Sequence, residues 1–348
     1  MPLTPYDPLR ILRYVDEVPA MRDARIDLVR PRMLLLYPSM TCNQNCGYCY
    51  YTEMHRPKEF MPSEKIADIF DDVIQMGVEG VELCGGGEPM LHPEMHIWLE
   101  YGLKLGLKFG ILTHGAVTRN DVFDMMGREF SYVRFSLDYA NPHRYAETRG
   151  VDFRDYERVL QNVQRTIKAR DKANSNCRVS IKATIHEQTA ADCIALYETG
   201  KGLGVDSVQF KRADEVGGGL DDDPDRRGEI ENILMMMRQG IQDDQPDVVF
   251  NFGRMKLQHR CWLHPVHAFI ETDGDVHLCC YYTGRQDTHK IGNVHEKPLS
   301  EIWGSPEHVE AMKATDIGEC NKYACRFIGY MDTLTRAVDN DEAQLQFM

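Results

Sequence analysis

Three cysteines, Cys42, Cys46 and Cys49, are spaced C-x3-C-x2-C inside the run Thr41-Cys-Asn-Gln-Asn-Cys-Gly-Tyr-Cys-Tyr50. Three thiolates hold three irons of a [4Fe–4S] cube and leave the fourth iron open, whereas four thiolates close it. An open iron can bind a small molecule and pass it an electron. A zinc knuckle is the competing reading of the same spacing. Five more cysteines, Cys261, Cys279, Cys280, Cys320 and Cys325, crowd into the C-terminal quarter, while Cys84, Cys177 and Cys193 stand apart. The total of 11 is odd and cannot be fully paired. Cysteines at motif spacing in a reducing compartment act as metal ligands.

The chain has 348 residues and is 43% hydrophobic, enough for one large domain with a smaller one beside it. It holds no run of about 18 apolar residues, so no transmembrane helix is expected. Met1 to Arg13 lack the apolar stretch of a signal peptide. A cytoplasmic protein with no membrane partner is the expectation. The formal net charge of -14 argues against a nucleic-acid surface and is compatible with a small cationic substrate.

The cysteines need a scaffold, and the pattern from residue 33 to about 212 supplies one. Short apolar or alternating runs predict strands at Met33–Tyr37, Gly80–Cys84, Lys108–Thr113, Tyr132–Asp138, Arg178–Ile185 and Ser207–Arg212. Helical periods fall between them, at Ser63–Met76, Pro93–Leu105, Arg119–Met126, Phe153–Ala173 and Thr189–Leu203. Ser63, after Pro62, is the expected N-cap of the first. Strands alternating with helices predict a parallel α/β sheet. The later strands alternate strictly. Tyr132, Arg134, Ser136 and Asp138 share one face; so do Ser180, Lys182, Thr184 and His186; so do Ser207, Gln209 and Lys211. A parallel sheet covered on both faces reads as nearly all apolar, and a closed eight-stranded barrel fills its interior. An open, six-stranded partial barrel around a wet cavity fits better. The expected organisation is an N-terminal extension (1–30), the partial barrel (31–213), a glycine- and aspartate-rich joint with a helix at Glu229–Gln242 (214–246), and a cysteine-bearing region (247–348).

After the second strand comes Cys84-Gly-Gly-Gly-Glu-Pro-Met90. Glycines let a backbone approach a ligand closely. Together with the cysteine run and Tyr48 before its third cysteine, this turn resembles the signature of the radical S-adenosylmethionine (AdoMet) enzymes. The resemblance spans roughly residues 30–212. It implies a partial (β/α)6 TIM-like barrel and a [4Fe–4S] cluster on Cys42, Cys46 and Cys49 whose open iron chelates AdoMet. It also implies AdoMet contacts from Tyr48, Gly86, Gly87 and Glu88, ribose contacts from Ser136 and Asp138, and a partner for the AdoMet carboxylate in Lys182. Arg149 resembles an arginine that faces AdoMet or substrate, or braces its loop. Thr113-His-Gly115 stands where the family often has Thr-Asn-Gly, and His114 reads as a satisfied loop histidine.

The C-terminal region resembles the SPASM and Twitch auxiliary-cluster domains, through Gly274-x4-Cys279, Ile291-Gly-Asn-Val294, Leu299-Ser-Glu-Ile-Trp303 and the pair Cys320, Cys325. The cysteines are too few for two extra clusters, so the resemblance implies one auxiliary [4Fe–4S] cluster on Cys261, Cys279, Cys320 and Cys325. The G-x4-C spacing places Cys279 ahead of Cys280. Size and cluster number resemble the alcohol dehydrogenases of aminoglycoside and aminocyclitol antibiotic biosynthesis. The expected activity is therefore oxidation of a carbinol in a small sugar or aminocyclitol. A flavodoxin- or ferredoxin-like reductant would feed it, and Asp214 or His186 would take the hydroxyl proton. Peptide maturation is one alternative, and only about 30 residues precede the first strand for a leader-binding domain. Sugar epimerisation, decarboxylation of a nucleoside sugar acid and a non-catalytic iron–sulfur carrier are the others.

Overall fold

The computed structural model describes residues 8–49, 51, 59–213, 224–240, 245–250, 256–281, 286–321, 325 and 327–339. The six expected strands are β1 (Met33–Leu36), β2 (Gly80–Leu83), β3 (Lys108–Thr113), β4 (Tyr132–Ser136), β5 (Arg178–Ile185) and β6 (Ser207–Arg212). They lie in chain order, all parallel. The sheet does not stop there. β7 (Asp247–Phe250) adds in parallel beyond β6, and β8 (His267–Ile270) adds in parallel to the free side of β1. β9 (Asp275–His277) and β10 (Lys290–Asn293) then continue antiparallel, giving the order β10-β9-β8-β1-β2-β3-β4-β5-β6-β7. The partial barrel is thus extended at both edges by strands of the cysteine-bearing region, which shares the sheet.

One parity of each barrel strand packs on helices. Leu34, Leu36, Val81, Leu83, Phe109, Ile111, Val133, Phe135, Val179 and Ile181 are fully buried in one core. Helix Ser63–Gln75 meets it with Ile66, Ile69, Phe70 and Val73, the i, i+3, i+4, i+7 stripe of an amphipathic helix. Burial of each such side chain contributes about 1.5–3 kcal/mol. Ser63 is not the N-cap. Pro62 holds that position, and the Ser63 hydroxyl donates instead to Glu94 at 2.5 Å. A helix absent from the periodicity reading, Pro142–Arg149, has conventional ends. Asn141 accepts from the N–H groups of His143 and Arg144, and Gly150 closes it at φ +60°. Its charged composition hid it.

The other parity lines the barrel interior and is polar, as the alternation predicts. Tyr132 donates to the Glu82 carboxylate, the Arg134 guanidinium lies 5.6 Å from the Tyr132 ring centre, and Ser207 donates to Ser180 at 2.9 Å. Gly110 leaves room for that tyrosine, since a Cβ there would lie 2.2 Å from the Tyr132 ring. The N-terminal extension packs on the C-terminal region, with Arg22 paired to Asp339 at 2.6 Å and set 5.3 Å from the Trp262 ring. No helix among the described residues is long and apolar enough to cross a membrane.

Candidate functional site

The loop carrying Cys42, Cys46 and Cys49 leaves the C-terminal end of β1. It is tied to the end of helix Pro142–Arg149, because Asn45 N–H donates to the Arg149 carbonyl at 2.9 Å and Gly47 N–H to that of Thr148 at 3.2 Å. The Arg149 side chain turns back beneath the loop. Its Nε and Nη2 donate to Asp138 Oδ2 at 3.0 and 2.7 Å, and its Nη1 to Gln44 Oε1 at 2.8 Å. Gln44 in turn donates to Tyr145, Tyr48 donates to Asp138 Oδ2 at 2.5 Å, and Thr184 N–H donates to Asp138 Oδ1 at 2.9 Å. Asp138 and Arg149 are almost wholly buried, at 1% and 3% side-chain exposure. Such a pair is tolerated because hydrogen bonds satisfy both partners. It fastens Tyr48 and the loop to β4 and β5.

The second support is Glu88. Its Oε1 accepts from Thr113 Oγ1 at 2.6 Å and Met90 N–H at 3.1 Å, and its Oε2 from His114 N–H at 2.8 Å. His114 Nδ1 accepts from Ala116 N–H at 2.9 Å, so the ring proton sits on Nε2, which donates to Asn43 Oδ1 at 2.7 Å. Burial holds its pKa below the usual histidine value. His114 therefore joins the glycine turn to the cysteine loop as a neutral ring. The turn also touches the loop directly. Gly87 N–H donates to Ser39 and Glu88 N–H to Thr41, and a Cβ on Gly87 would lie 2.3 Å from the Thr41 carbonyl oxygen.

The three thiols suit a cluster in character. They lie within electrostatic reach of one another on one loop. Burial pushes the Cys46 thiol up to about 11, Arg149 pulls it back, and Asp138, Cys49 and Cys42 oppose that pull. Iron removes this penalty, since a coordinating thiol is deprotonated outright. Among the described residues no three His, Cys, Asp or Glu groups are placed to hold a single metal ion. In a cube each thiolate binds its own iron, so three thiols need not converge on one point.

The C-terminal cysteines form a second site. Cys261, Cys279, Cys320 and Cys325 line one pocket with Leu257, Leu263, His264, His267, Tyr281 and Phe327. Asn321 clamps it shut by accepting from Leu257 N–H at 2.7 Å and donating to the Leu257 carbonyl at 3.1 Å. Burial pushes the Cys261 thiol up to about 12 and Cys325 higher still. Cys280 does not line this pocket. It packs both on the main core that Cys261, Cys320 and Cys325 also touch and, with Cys49 and Cys84, on a second apolar cluster of Leu35, Tyr37, Met40, Tyr51 and Phe269. Both residues lie in the turn after β9, and Cys279 is the one of the two that lines the pocket, in line with the preference from spacing.

Residues 36–177 match the radical SAM superfamily, and residues 261–326 match the SPASM iron–sulfur cluster-binding domain. The chain carries a radical SAM domain followed by a SPASM domain. Its cofactors are a [4Fe–4S] cluster, AdoMet and an auxiliary cluster. It is similar to the AdoMet-dependent heme synthase of Methanosarcina barkeri, 21% identical over 80% of this chain and 83% of that protein. It is also similar to the subtilosin biosynthesis protein AlbA of Bacillus subtilis, 23% identical over 83% of this chain but 64% of AlbA. Among solved structures, Streptococcus suis SuiB bound to the precursor peptide SuiA aligns with a TM-score of 0.67 at 18% identity, over 90% of this chain and 73% of that one. AdoMet-bound anSMEcpe aligns with a TM-score of 0.62 at 17% identity, over 86% and 88%. These likenesses show the fold.

Within this radical SAM frame, several residues expected at AdoMet also have partners within the protein. Glu88 and Asp138 accept from main chain and neighbouring side chains, and Arg149 braces the loop. Ser136 and Lys182 face each other across the β4–β5 ladder on the inner wall. His186 follows β5, with its ring 5.1 Å from that of Tyr48. Asp214 lies outside the described residues. Sequence reading missed Asn43, Gln44, Tyr145 and Thr184, whose roles are contacts across long separations. It also missed the pocket-lining His264 and His267, although two histidines three and six residues beyond Cys261 were there to be seen.

Proposed function

We propose that the protein removes hydrogen from a carbon of a peptide substrate and oxidises it. The observation that carries this reading is the position of the polar inner wall. Lys211 on β6 places its Nζ 5.8 Å from the ring of Tyr281, which lines the SPASM cysteine pocket. Lys182 stands on the adjacent strand, level with Ser136 and Gln209. A substrate lying on this wall sits between the two cysteine sites. Likeness to SuiB, seen with a precursor peptide, and to AlbA favours a peptide over the aminocyclitol expected from sequence. The charges of the wall are mixed. Arg134, Lys182 and Lys211 share the inward parity with Glu82 and Asp138, so the overall acidity of the chain says little about its cavity.

When bound, the reduced cluster with AdoMet supplies a 5'-deoxyadenosyl radical, and the auxiliary cluster supplies an electron acceptor. The chain's own residues hold and orient. The Arg149–Asp138–Tyr48 network keeps the Cys42–Cys49 loop in one place, which is the main requirement when a reactive species must meet one carbon. His186 is the candidate proton acceptor. Burial lowers its pKa, with Asp138 and Glu187 opposing, so a neutral ring is held beside Tyr48.

The test is deuterium transfer. Reconstituted enzyme, AdoMet and dithionite are incubated with a perdeuterated peptide pool or with a perdeuterated aminocyclitol and sugar pool. Deuterium in 5'-deoxyadenosine from the peptide pool alone supports the reading. Deuterium from the alcohol pool alone overturns it and restores carbinol oxidation.

A further inference from the structure

The SPASM region buries five histidines, His264, His267, His277, His289 and His308, each at 3% exposure or less. Two of them line the pocket of Cys261, Cys279, Cys320 and Cys325. We propose that His267 sets the reduction potential of the auxiliary cluster, with His264 as its positioning partner.

Among the described residues, the lining of this pocket apart from the thiols is leucine, phenylalanine, Tyr281 and the two imidazoles. Reduction adds a negative charge to the cluster, and in such a lining little water is present to stabilise it. The nearest fixed dipoles therefore decide how costly that charge is. Hydrogen bonds to the sulfurs and burial are the levers by which a protein moves an iron–sulfur potential. His267 is held for that purpose. It starts β8, is 2% exposed, and stacks on Phe327 with ring centres 4.5 Å apart and planes 15° apart. A neutral imidazole keeps one N–H donor. His264 is anchored by its Nδ1, 3.4 Å from the Leu278 carbonyl oxygen, next to Cys279. Since a carbonyl only accepts, that nitrogen carries the ring proton, and His264 holds the strand end in place. From its place among the four thiols, an N–H donated toward a cluster sulfur would favour the reduced, more negative state, so His267 would raise the potential and make the cluster a better electron acceptor.

The experiment uses the full chain with Cys42, Cys46 and Cys49 replaced by Ala, reconstituted so that the auxiliary cluster is the one present. Its midpoint is read from the reduced-cluster EPR signal against applied potential, alongside iron content. His267→Phe keeps the stack and removes the donor. The expected result is a lower midpoint with iron retained, and partial recovery in His267→Gln. An unchanged midpoint in both variants with iron retained assigns the ring to packing and overturns the proposal. Loss of iron from both variants makes His267 a ligand or scaffold and also overturns it. No substrate enters the measurement, so its failure leaves the peptide reading intact.

Discussion

Arg149→Met tests the bracing of the cysteine loop most directly. The substitution keeps an unbranched, apolar stem of similar length and removes three donated hydrogen bonds, two to Asp138 and one to Gln44. Asp138 is then left at 1% exposure with Tyr48 and the Thr184 N–H as donors and no cation. Breaking a buried pair from one side costs about 3–5 kcal/mol, because the stranded charge is uncompensated. Both partners are wholly buried, so solvent screening does not reduce that figure. Against a typical total of about 5–15 kcal/mol this is a large loss. It should appear as a lower urea midpoint under anaerobic conditions, together with lower iron retention in the Cys42–Cys49 site. Asp138→Asn combined with Arg149→Met strands no charge. The double variant should therefore be more stable than the sum of the two single losses by about 0.5–3 kcal/mol, the range for directly coupled residues. A single-variant loss under about 1 kcal/mol, or strict additivity in the double, would refute the claim that this pair is the brace.

Two further outcomes follow from local geometry. Burial, with a smaller contribution from His264, pushes the His308 imidazole down to about 3 from 6.5. Below pH 6.5 the unfolded chain takes a proton that the folded chain refuses. This stability is therefore whole above that pH and is lost as pH falls toward 3, about 2 kcal/mol of it by pH 5. Urea midpoints of wild type and His308→Phe at pH 7 and pH 5 should show the weaker pH dependence in the variant, and equal dependence would remove His308 as the cause. Gly87→Ala places a Cβ 2.3 Å from the Thr41 carbonyl oxygen and 2.5 Å from the Met40 carbonyl carbon, so the main chain leading into the cysteine loop must shift. Iron should fall from about eight to about four per chain. Gly47→Ala, inside the cysteine run but with nothing within 4 Å, should keep the full amount. Full iron in the Gly87 variant would show that the turn does not set the loop.

The Cys42–Cys49 spacing, the glycine turn after β2 and the alternation of β4 to β6 were all legible in the chain, because each is a local pattern. Strand parity alone placed Lys182 and Lys211 on the wet face, and hydrophobic period alone placed Ile66, Ile69, Phe70 and Val73 on the core face. Tertiary structure decided the rest. Nothing local tells His267–Ile270 to pair with Met33–Leu36 rather than build a separate sheet, since that choice depends on which edge is left open after six strands have assembled. Net charge was compatible with a cationic ligand, but a sum over 348 residues does not record which of them face inward, and the inner wall carries charges of both signs. Asp138 lies two residues past the end of β4, and only the fold shows that Arg149, Tyr48 and Thr184 donate to its oxygens. Cys279 and Cys280 are neighbours in sequence, and only the folded chain shows that Cys279 lines the SPASM pocket while Cys280 sits between that region and the cluster of Cys49 and Cys84. Periodicity records which face a residue occupies. Which partner it meets there is settled only when segments 100 or more residues apart are brought together, as in the bond from Arg149 to Gln44.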